Sequence, residues 1–561
     1  MNHKTVVCLL FLLFPVGFFF VPLWVQDHCF AYRDSARFYH RQFEWNQAQW
    51  TKGEVPLWNP QENLGAAIVG EASSSVFYPL QLLFLLPIPF GRAFVLYAAL
   101  HVYLASVGAF FFSRALGCRD EAAVFCGMSY SLCGSVIFQT CNIVFLIGAS
   151  WLPFCVWMSY LLCRVPRLSC TGWLGIFMGL TILGGEPQTA YHVGILSGLL
   201  ISTNWWRQRG RLKSSEIKKS VGCHALAVLI AFAIAAIQIF PTWQATQTST
   251  RSDFVKARSI WELGSSRRGS MAGGIFGHPV AGTHHDHLYQ FSQAPWTVAE
   301  LVWPNVSGKI QPRYGRWSEA IPAASRTWTP SIYCGLIAFV FLISAMTRRS
   351  PRDDDRWLKL GFAVFALGSL GWFGLGWVAH EAAYCLFRSD PAASWIGAPV
   401  GGMYWFFVVC LPGYVKFRYP AKLFIVASLL MCVIASRELQ RVIRHEQFSQ
   451  VRRQFVGVVL VSLVVLVTLW FSSIPINRWF QYLFETVSTE FGPFQPAAAW
   501  RAILEGLIHA FVLGMMVIAL INQGFRPQLL ARLLVLLALC DLTVANRGLI
   551  FSAPSEIWQR T

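Results

Sequence analysis

Residues 5–26 read TVVCLLFLLFPVGFFFVPLWVQ, an apolar run without a single charge. A helix needs about 20 apolar residues to cross the hydrocarbon of a bilayer. The run follows Met1-Asn2-His3-Lys4, exceeds a typical signal-peptide core and lacks a small-x-small cleavage site. It predicts an uncleaved first span whose N-terminus is cytoplasmic.

The rest of the chain agrees. Of 561 residues 55% are apolar and 13% charged, where soluble globular chains carry about 25% charged residues. Mean hydropathy is +0.48. These figures exclude disordered, collagenous, coiled-coil and disulfide-rich secreted classes and predict an all-α polytopic membrane protein. Further spans are expected at about 91–113, 120–138, 143–163, 171–185, 189–203, 222–242, 329–347, 358–379, 419–436, 454–474, 502–522 and 530–546, making thirteen. The run Val400 to Pro412 is short enough to be re-entrant.

Net charge is +18. With thirteen spans, the short loops at Arg114/Arg119, Arg164/Arg167, Arg207 to Lys219, Arg348 to Lys359, Arg437 to Arg453 and Arg526/Arg532 fall on one side and are basic throughout. Positive charge in short loops marks the cytoplasmic face. No basic face of a soluble domain remains to bind nucleic acid. Most of the fifteen cysteines lie in apolar blocks, where they act as small hydrophobes. Asp353-Asp354-Asp355 falls in a cytoplasmic loop and reads as solvated.

Two segments on the opposite, outer side are long, 27–91 and 243–329. Their Trp, Tyr, Pro, Gly and His content argues against disorder. Short helices at the membrane surface are expected there, with Leu80 to Pro87 as one candidate. The first segment carries Asp34 about two turns past the opening span. A carboxylate in a partly dry cleft can take a proton from a sugar hydroxyl; the alternative is a loop acid paired with Arg33 or Arg37. The stretch from Gly53 to Pro60, with Pro56 and Pro60 bracketing Leu57-Trp58-Asn59, fixes an extended turn. Trp58, Asn59 and the following Glu71 are candidate substrate contacts or scaffold. Glu186 lies between two spans too short to cross comfortably, so it is expected below the headgroups facing a polar cavity. Lys416, Arg418 and Lys422 cluster at the outer end of the span near 419, and Arg251 lies in the second segment. Arginine grips phosphate through two bonds and lysine acts as a point charge. An outer-facing Arg418 runs against the topological bias of basic residues. His284-His285-Asp286-His287 and His278 invite a metal reading, but adjacent histidines do not converge on one centre, and no metal site is assigned.

Several of these elements occur together elsewhere. Tyr32-Arg33-Asp34, Gly53-Glu54-Val55-Pro56-Leu57-Trp58-Asn59-Pro60, Tyr78-Pro79-Leu80, Gly184-Gly185-Glu186-Pro187-Gln188, Gln238-Ile239-Phe240-Pro241, Trp303-Pro304, Tyr333-Cys334-Gly335-Leu336 and Phe417-Arg418-Tyr419-Pro420-Ala421-Lys422 stand in order. The arrangement resembles the bacterial YfhO-like family of polytopic membrane proteins, related to the C-type glycosyltransferase (GT-C) architecture. The resemblance spans about residues 27–436 and divides the chain into a GT-C-like module, 1–436, and C-terminal helices, 437–561. It implies transfer of a sugar from a polyprenyl-phosphate donor to an envelope glycopolymer or glycolipid on the outer face of the bacterial cytoplasmic membrane. It places an essential acid after the first span, which is Asp34 by position, with Asp27 as the runner-up. Glu186 falls within its Gly-Gly motif. It requires no cofactor, although some GT-C enzymes use a divalent ion. The alternatives are a transporter or flippase of a lipid-linked saccharide, and a non-catalytic envelope-assembly scaffold. Transport would require ionisable groups within the spans; Glu505 and Asp541 are the exceptions the sequence offers.

Overall fold

The computed structural model describes residues 3–62, 64–207, 214–247, 257–263, 272–278, 288–321, 327–348, 355–388, 396–444, 448–484 and 492–558. Helices dominate. The chain opens with α1 (His3–Val25) and a surface helix α2 (His40–Thr51). Next come α3 (Phe90–Ala115), α4 (Asp120–Ser131), α5 (Gly134–Ile137) and α6 (Ile143–Arg164). They are followed by α7 (Leu168–Leu183), α8 (Pro187–Arg207) and α9 (Ser214–Gln247). After the second long segment the chain forms α10 (Leu336–Thr347), α11 (Arg356–Ser369), α12 (Leu375–Phe387) and α13 (Met403–Cys410). It closes with α14 (Leu423–Ile443), α15 (Phe448–Phe471), α16 (Ser473–Phe484), α17 (Pro496–Asn522) and α18 (Pro527–Asn546).

Among the described residues, eight helices are long and apolar enough to cross a membrane, and nine if the pair Asp120–Ser131 and Gly134–Cys141, bent by 46°, counts as one span. The remaining expected spans fall on α7, α8, α10 and α11, which are shorter or less apolar. Burial sorts the long helices. The span ending in α14 is buried over 94% of its apolar window and α6 over 89%, against 28% for α1 and for α9 and 17% for α15. Thus α6 and α14 form the centre. On α1, Leu10, Leu13, Phe14 and Phe18 stay exposed, as lipid-facing side chains do. It carries Pro15 and Pro22 inside its length, which spanning helices tolerate where neighbouring groups or local helix adjustments can take up the freed backbone carbonyls.

The basic loops gather at one end. Arg437 and Arg441 pair with Asp355 at 2.5 and 2.8 Å, and Arg348 with Glu438 at 2.7 Å. Asp355, read from sequence as solvated, is instead buried. The correction follows from its position just before α11, which brings it against two arginines of α14. A buried carboxylate needs such partners, since desolvation of an unpaired charge costs several kcal/mol, on the order of 3–5.

Three expected spans change shape. The 120–138 helix bends after Ser131. The 358–379 helix stops at Ser369 and resumes at Leu375. Gly371 sits there at φ +49°, and a Cβ on it would lie 2.3 Å from Ser292 Oγ and 2.4 Å from Pro420 Cγ. The span expected from 329 begins only at Leu336, after Gly335 at φ +97°. Its first amide donates to Asp541 Oδ2 at 3.0 Å rather than to water. Helix α13 has 8 residues, about 12 Å of rise. That is too short to cross and agrees with a re-entrant run. The stretch from Pro79 to Leu85 is 3-10 helical.

At the opposite end, β1 (His28–Phe30) pairs antiparallel with β2 (Ser552–Pro554), Cys29 opposite Ala553. The last strand therefore pins the start of the first long segment beside α3.

Candidate functional site

Asp34 enters the site through a backbone turn. Arg33 adopts φ +51°, a left-handed conformation that is uncommon for a long side chain. Its guanidinium donates to the carbonyls of Thr327 and Trp328, the latter at 2.7 Å. It also lies over the rings of Tyr32, Phe138 and Phe291 at 5.5–5.7 Å. Arg33 is thus spent on anchoring the second long segment and is not the ion-pair partner of its neighbour. Asp34 remains exposed and accepts a hydrogen bond from Asn142 Nδ2 at 2.7 Å.

Asn142 precedes α6, and Phe145 follows one turn later. Lys422 Nζ lies 3.7 Å from the centroid of the Phe145 ring. Its ammonium donates to Glu186 Oε2 and Oε1 at 3.1 and 3.3 Å, and both side chains are buried. The fit is tight. A Cβ on Gly148 would lie 2.6 Å from Glu186 Cγ. Gly185, at φ +89°, would carry its Cβ 2.9 Å from the Ala72 carbonyl oxygen. Only glycine at these positions lets the α7–α8 turn close onto both α6 and the Glu71-Ala72-Ser73 loop. Glu71 is exposed and accepts from Ser73 Oγ at 2.7 Å. Gln238 Nε2 holds the same loop through the Val69 carbonyl at 2.8 Å.

Tyr39 ties the acids together. It is buried, and its hydroxyl pKa is pushed well above the ordinary value, first by burial and then by the charges of Asp34, Glu186 and Glu71. The field at this buried phenol thus includes the carboxylates of three separate segments.

Arg418 is half-buried, lies over the Tyr419 ring at 4.7 Å and is within Coulomb reach of Lys422. Tyr419 has φ +71°, a conformation costing on the order of 1–3 kcal/mol in a bulky residue, of the kind that clusters at functional sites. Its ring packs 5.3 Å from Trp328 and 4.8 Å from Phe291. Trp328 in turn meets Phe145 at 4.9 Å. The floor of the site is thus aromatic, with cations and carboxylates set into it.

The other candidates are placed as follows. Lys416 is exposed, on the short turn Tyr414–Lys416. Trp58 is exposed, resting on Gly65, where a Cβ would lie 2.5 Å from its ring. Asn59 is buried and holds its own turn: its backbone bridges Ala66 and its Oδ1 accepts from the Gln61 amide at 3.0 Å. Asp27 pairs with Arg92 at 3.1 Å, and its carbonyl accepts from Ser555 Oγ at 2.8 Å, at the corner where β1 begins. It is joined to the C-terminal strand rather than to the acids around Tyr39. Arg251 and His284-His285-Asp286-His287 lie outside the described residues. His278 packs against His380 at 5.5 Å. Among the described residues no group of three or more His, Cys, Asp or Glu could hold a metal ion.

Sequence reasoning missed Asn142, Phe145, Tyr39 and Trp328. Asn142 carried a usable signal, since Asn directly before an apolar helical run is a preferred helix start. The other three are aromatic residues among many, and nothing local sets them apart.

The chain matches the model of the family described as bacterial membrane protein YfhO over residues 39–265, and it is a multi-pass membrane protein. No curated protein matches it. Two crystal structures of ArnT from Cupriavidus metallidurans are similar in fold, each 14% identical in sequence. The form bound to undecaprenyl phosphate has a TM-score of 0.48 and covers 98% of this chain and 77% of its own. The apo form has a TM-score of 0.45, covering 95% and 76%.

Proposed function

We propose that this chain, YfhO-like over residues 39–265, is a glycosyltransferase of GT-C type. On this reading it moves a sugar from a polyprenyl-phosphate donor to an envelope acceptor on the outer face of the bacterial cytoplasmic membrane, with its N-terminus in the cytoplasm. The observation that carries the reading is one grouping at one end of the bundle. An exposed carboxylate, Asp34, is held by Asn142 at the start of α6, and Phe145 one turn on carries the ammonium of Lys422, the partner of Glu186, four residues after Arg418.

The roles follow from exposure. Asp34 is exposed and, unlike the exposed Glu71, is held by a side chain at the start of the central helix α6, so it is assigned as the base. The acceptor hydroxyl gives its proton to an Asp34 oxygen and its oxygen bonds to the anomeric carbon. The bond from that carbon to the phosphate oxygen breaks, and the lipid phosphate leaves with the electron pair. Asn142 holds one carboxylate oxygen and leaves the other for the proton. The transition state resembles an oxocarbenium ion, and cations near the departing phosphate stabilise its growing charge. Arg418 and the exposed Lys416 are suited to that. Lys422 is held by Glu186 and serves to position the aromatic rings of Phe145, Trp328 and Tyr419. Trp58, Asn59 and Glu71 belong to the same end, Trp58 and Glu71 as candidate contacts to the sugar and Asn59 as the residue that shapes their loop. No step calls for a metal.

The transport alternative finds less support. Asp541, a buried charge within a span, is engaged by Tyr333, the Leu336 amide and His509 at 2.6, 3.0 and 2.7 Å. The test is sugar transfer from a polyprenyl-phosphate donor in membranes containing the protein. Asp34→Asn keeps the bond from Asn142 within reach through its carbonyl oxygen but cannot take a proton. It is expected to lose a factor of about 10²–10⁴ in turnover. Full activity in that variant would remove Asp34 from the chemistry.

A further inference from the structure

A cavity of about 680 Å³ opens between α17, α18 and the second long segment. It lies apart from Glu186 and Lys422. Its wall is mostly aliphatic: Ile508, Val512, Leu513 and Met516 from α17 with Leu537 and Val544 from α18. Its other end is polar, with Lys309, Glu505, His509, Asp541 and Arg547. The two ends are ordered along the helices. From Ile508 to Met516 the wall descends about 12 Å, while Glu505 and Arg547 sit at the terminus where the long segments and the β1–β2 pair lie.

The polar groups are unequal. Lys309 and Glu505 satisfy one another at 2.5 Å. Asp541 is fully buried and accepts from three donors, among them His509 Nε2. Arg547 is exposed at the rim, and no ion pair to it is found among the described residues. It also lines a second cleft, beside Phe18 and Pro22 of α1. The rim of the cavity therefore carries an arginine without an ion pair among the described residues, above an aliphatic slot open to the side. A soluble anion would leave the aliphatic wall empty, and an uncharged lipid would leave Arg547 unanswered.

We propose that this cavity binds one phospholipid, its phosphate on Arg547 and an acyl chain along Ile508, Val512 and Met516. The site is separate from the one assigned to sugar transfer, although Phe551 and Pro330, which line the cavity, join the two. Phe551 stacks on Tyr32 at 4.5 Å, and Pro330 accepts from the fully buried Arg316 at 2.9 Å. Binding here does not depend on the transfer reading.

The test is a native mass spectrometry titration of the full chain in detergent. Dioleoylphosphatidylglycerol and dioleoylphosphatidylcholine are the probes and dioleoylglycerol is the phosphate-free control. One saturable lipid is expected with both phosphate-bearing probes, and binding of the control at least about tenfold weaker, the scale of a lost charge-assisted hydrogen bond. Binding of phosphatidylglycerol alone would show that net charge rather than phosphate is read and would overturn the assignment. Arg547→Gln should weaken phosphatidylglycerol about tenfold, and Val512→Trp, filling the slot, should abolish the saturable site. Lys52→Gln, exposed and outside the cavity lining, should leave it unchanged. Arg547 is exposed, so its variant keeps the test valid even if Val512→Trp does not fold. Wild-type binding by Arg547→Gln, or equal binding of dioleoylglycerol, would refute the proposal.

Discussion

Removing one partner of the Glu186–Lys422 pair should cost far more than removing both. The ammonium sits 3.1 and 3.3 Å from the two carboxylate oxygens and 3.7 Å from the Phe145 centroid, and both side chains are buried. Glu186→Gln leaves a buried ammonium with a neutral partner, a change that typically costs about 3–5 kcal/mol. Lys422→Met leaves the carboxylate buried instead, with a similar expected loss. In Glu186→Gln/Lys422→Met no charge is left unpaired, and a buried pair replaced by neutral groups of similar volume is often close to neutral. On these figures the coupling between the two changes would be about 6 kcal/mol or more, above the roughly 0.5–3 kcal/mol that contacting residues usually show. Thermal unfolding of the four proteins in one detergent, followed by tryptophan fluorescence, reads the cycle as midpoint shifts. The single variants should melt well below wild type and the double variant above either single. Additive midpoint losses would refute the idea that the pair acts as one buried unit.

Three other expectations concern the same end of the molecule. His40 is buried and stacks on Trp558 at 4.5 Å. Burial lowers its pKa to about 4, so its share of stability is whole above the unfolded value near 6.5. That share is lost as pH falls from there towards 4, up to roughly 3 kcal/mol. The melting temperature of His40→Phe should accordingly fall less than that of wild type between pH 7 and pH 5. Gly185→Ala forces a Cβ to 2.9 Å from a backbone oxygen at φ +89°, and should lower both stability and transfer, whereas Gly194→Ala, with nothing within 4 Å, should change neither. An epitope inserted at Gly53, where nothing lies within 4 Å, should be reached by antibody on intact spheroplasts. Labelling only after permeabilisation would reverse the orientation on which the outer-face chemistry depends.

Periodicity and charge were legible because they are local. The hydrocarbon sets how many apolar residues a crossing helix needs, so α1, α3, α6, α9, α14, α15, α17 and α18 could be located, though one end each of α9, α14, α15 and α17 lies six to eight residues from where hydropathy put it. The sign bias of short loops placed Arg114, Arg348 and Arg437 on one side, and the structure gathers them at one end. Asp34, Glu186 and Arg418 could be named as candidates from their positions relative to the spans. Their partners could not. Glu186 meets Lys422 236 residues away and Asp34 meets Asn142 108 away. The burial of Asp355 depended likewise on arginines from a helix far along the chain. The breaks at Gly335 and Gly371 also escaped, because hydropathy continues through them. What ends those helices is contact with Asp541, Ser292 and Pro420. Hydrophobic length and loop charge are properties of the chain itself, whereas pairing and backbone breaks depend on which distant side chains the packed bundle brings within 3 Å.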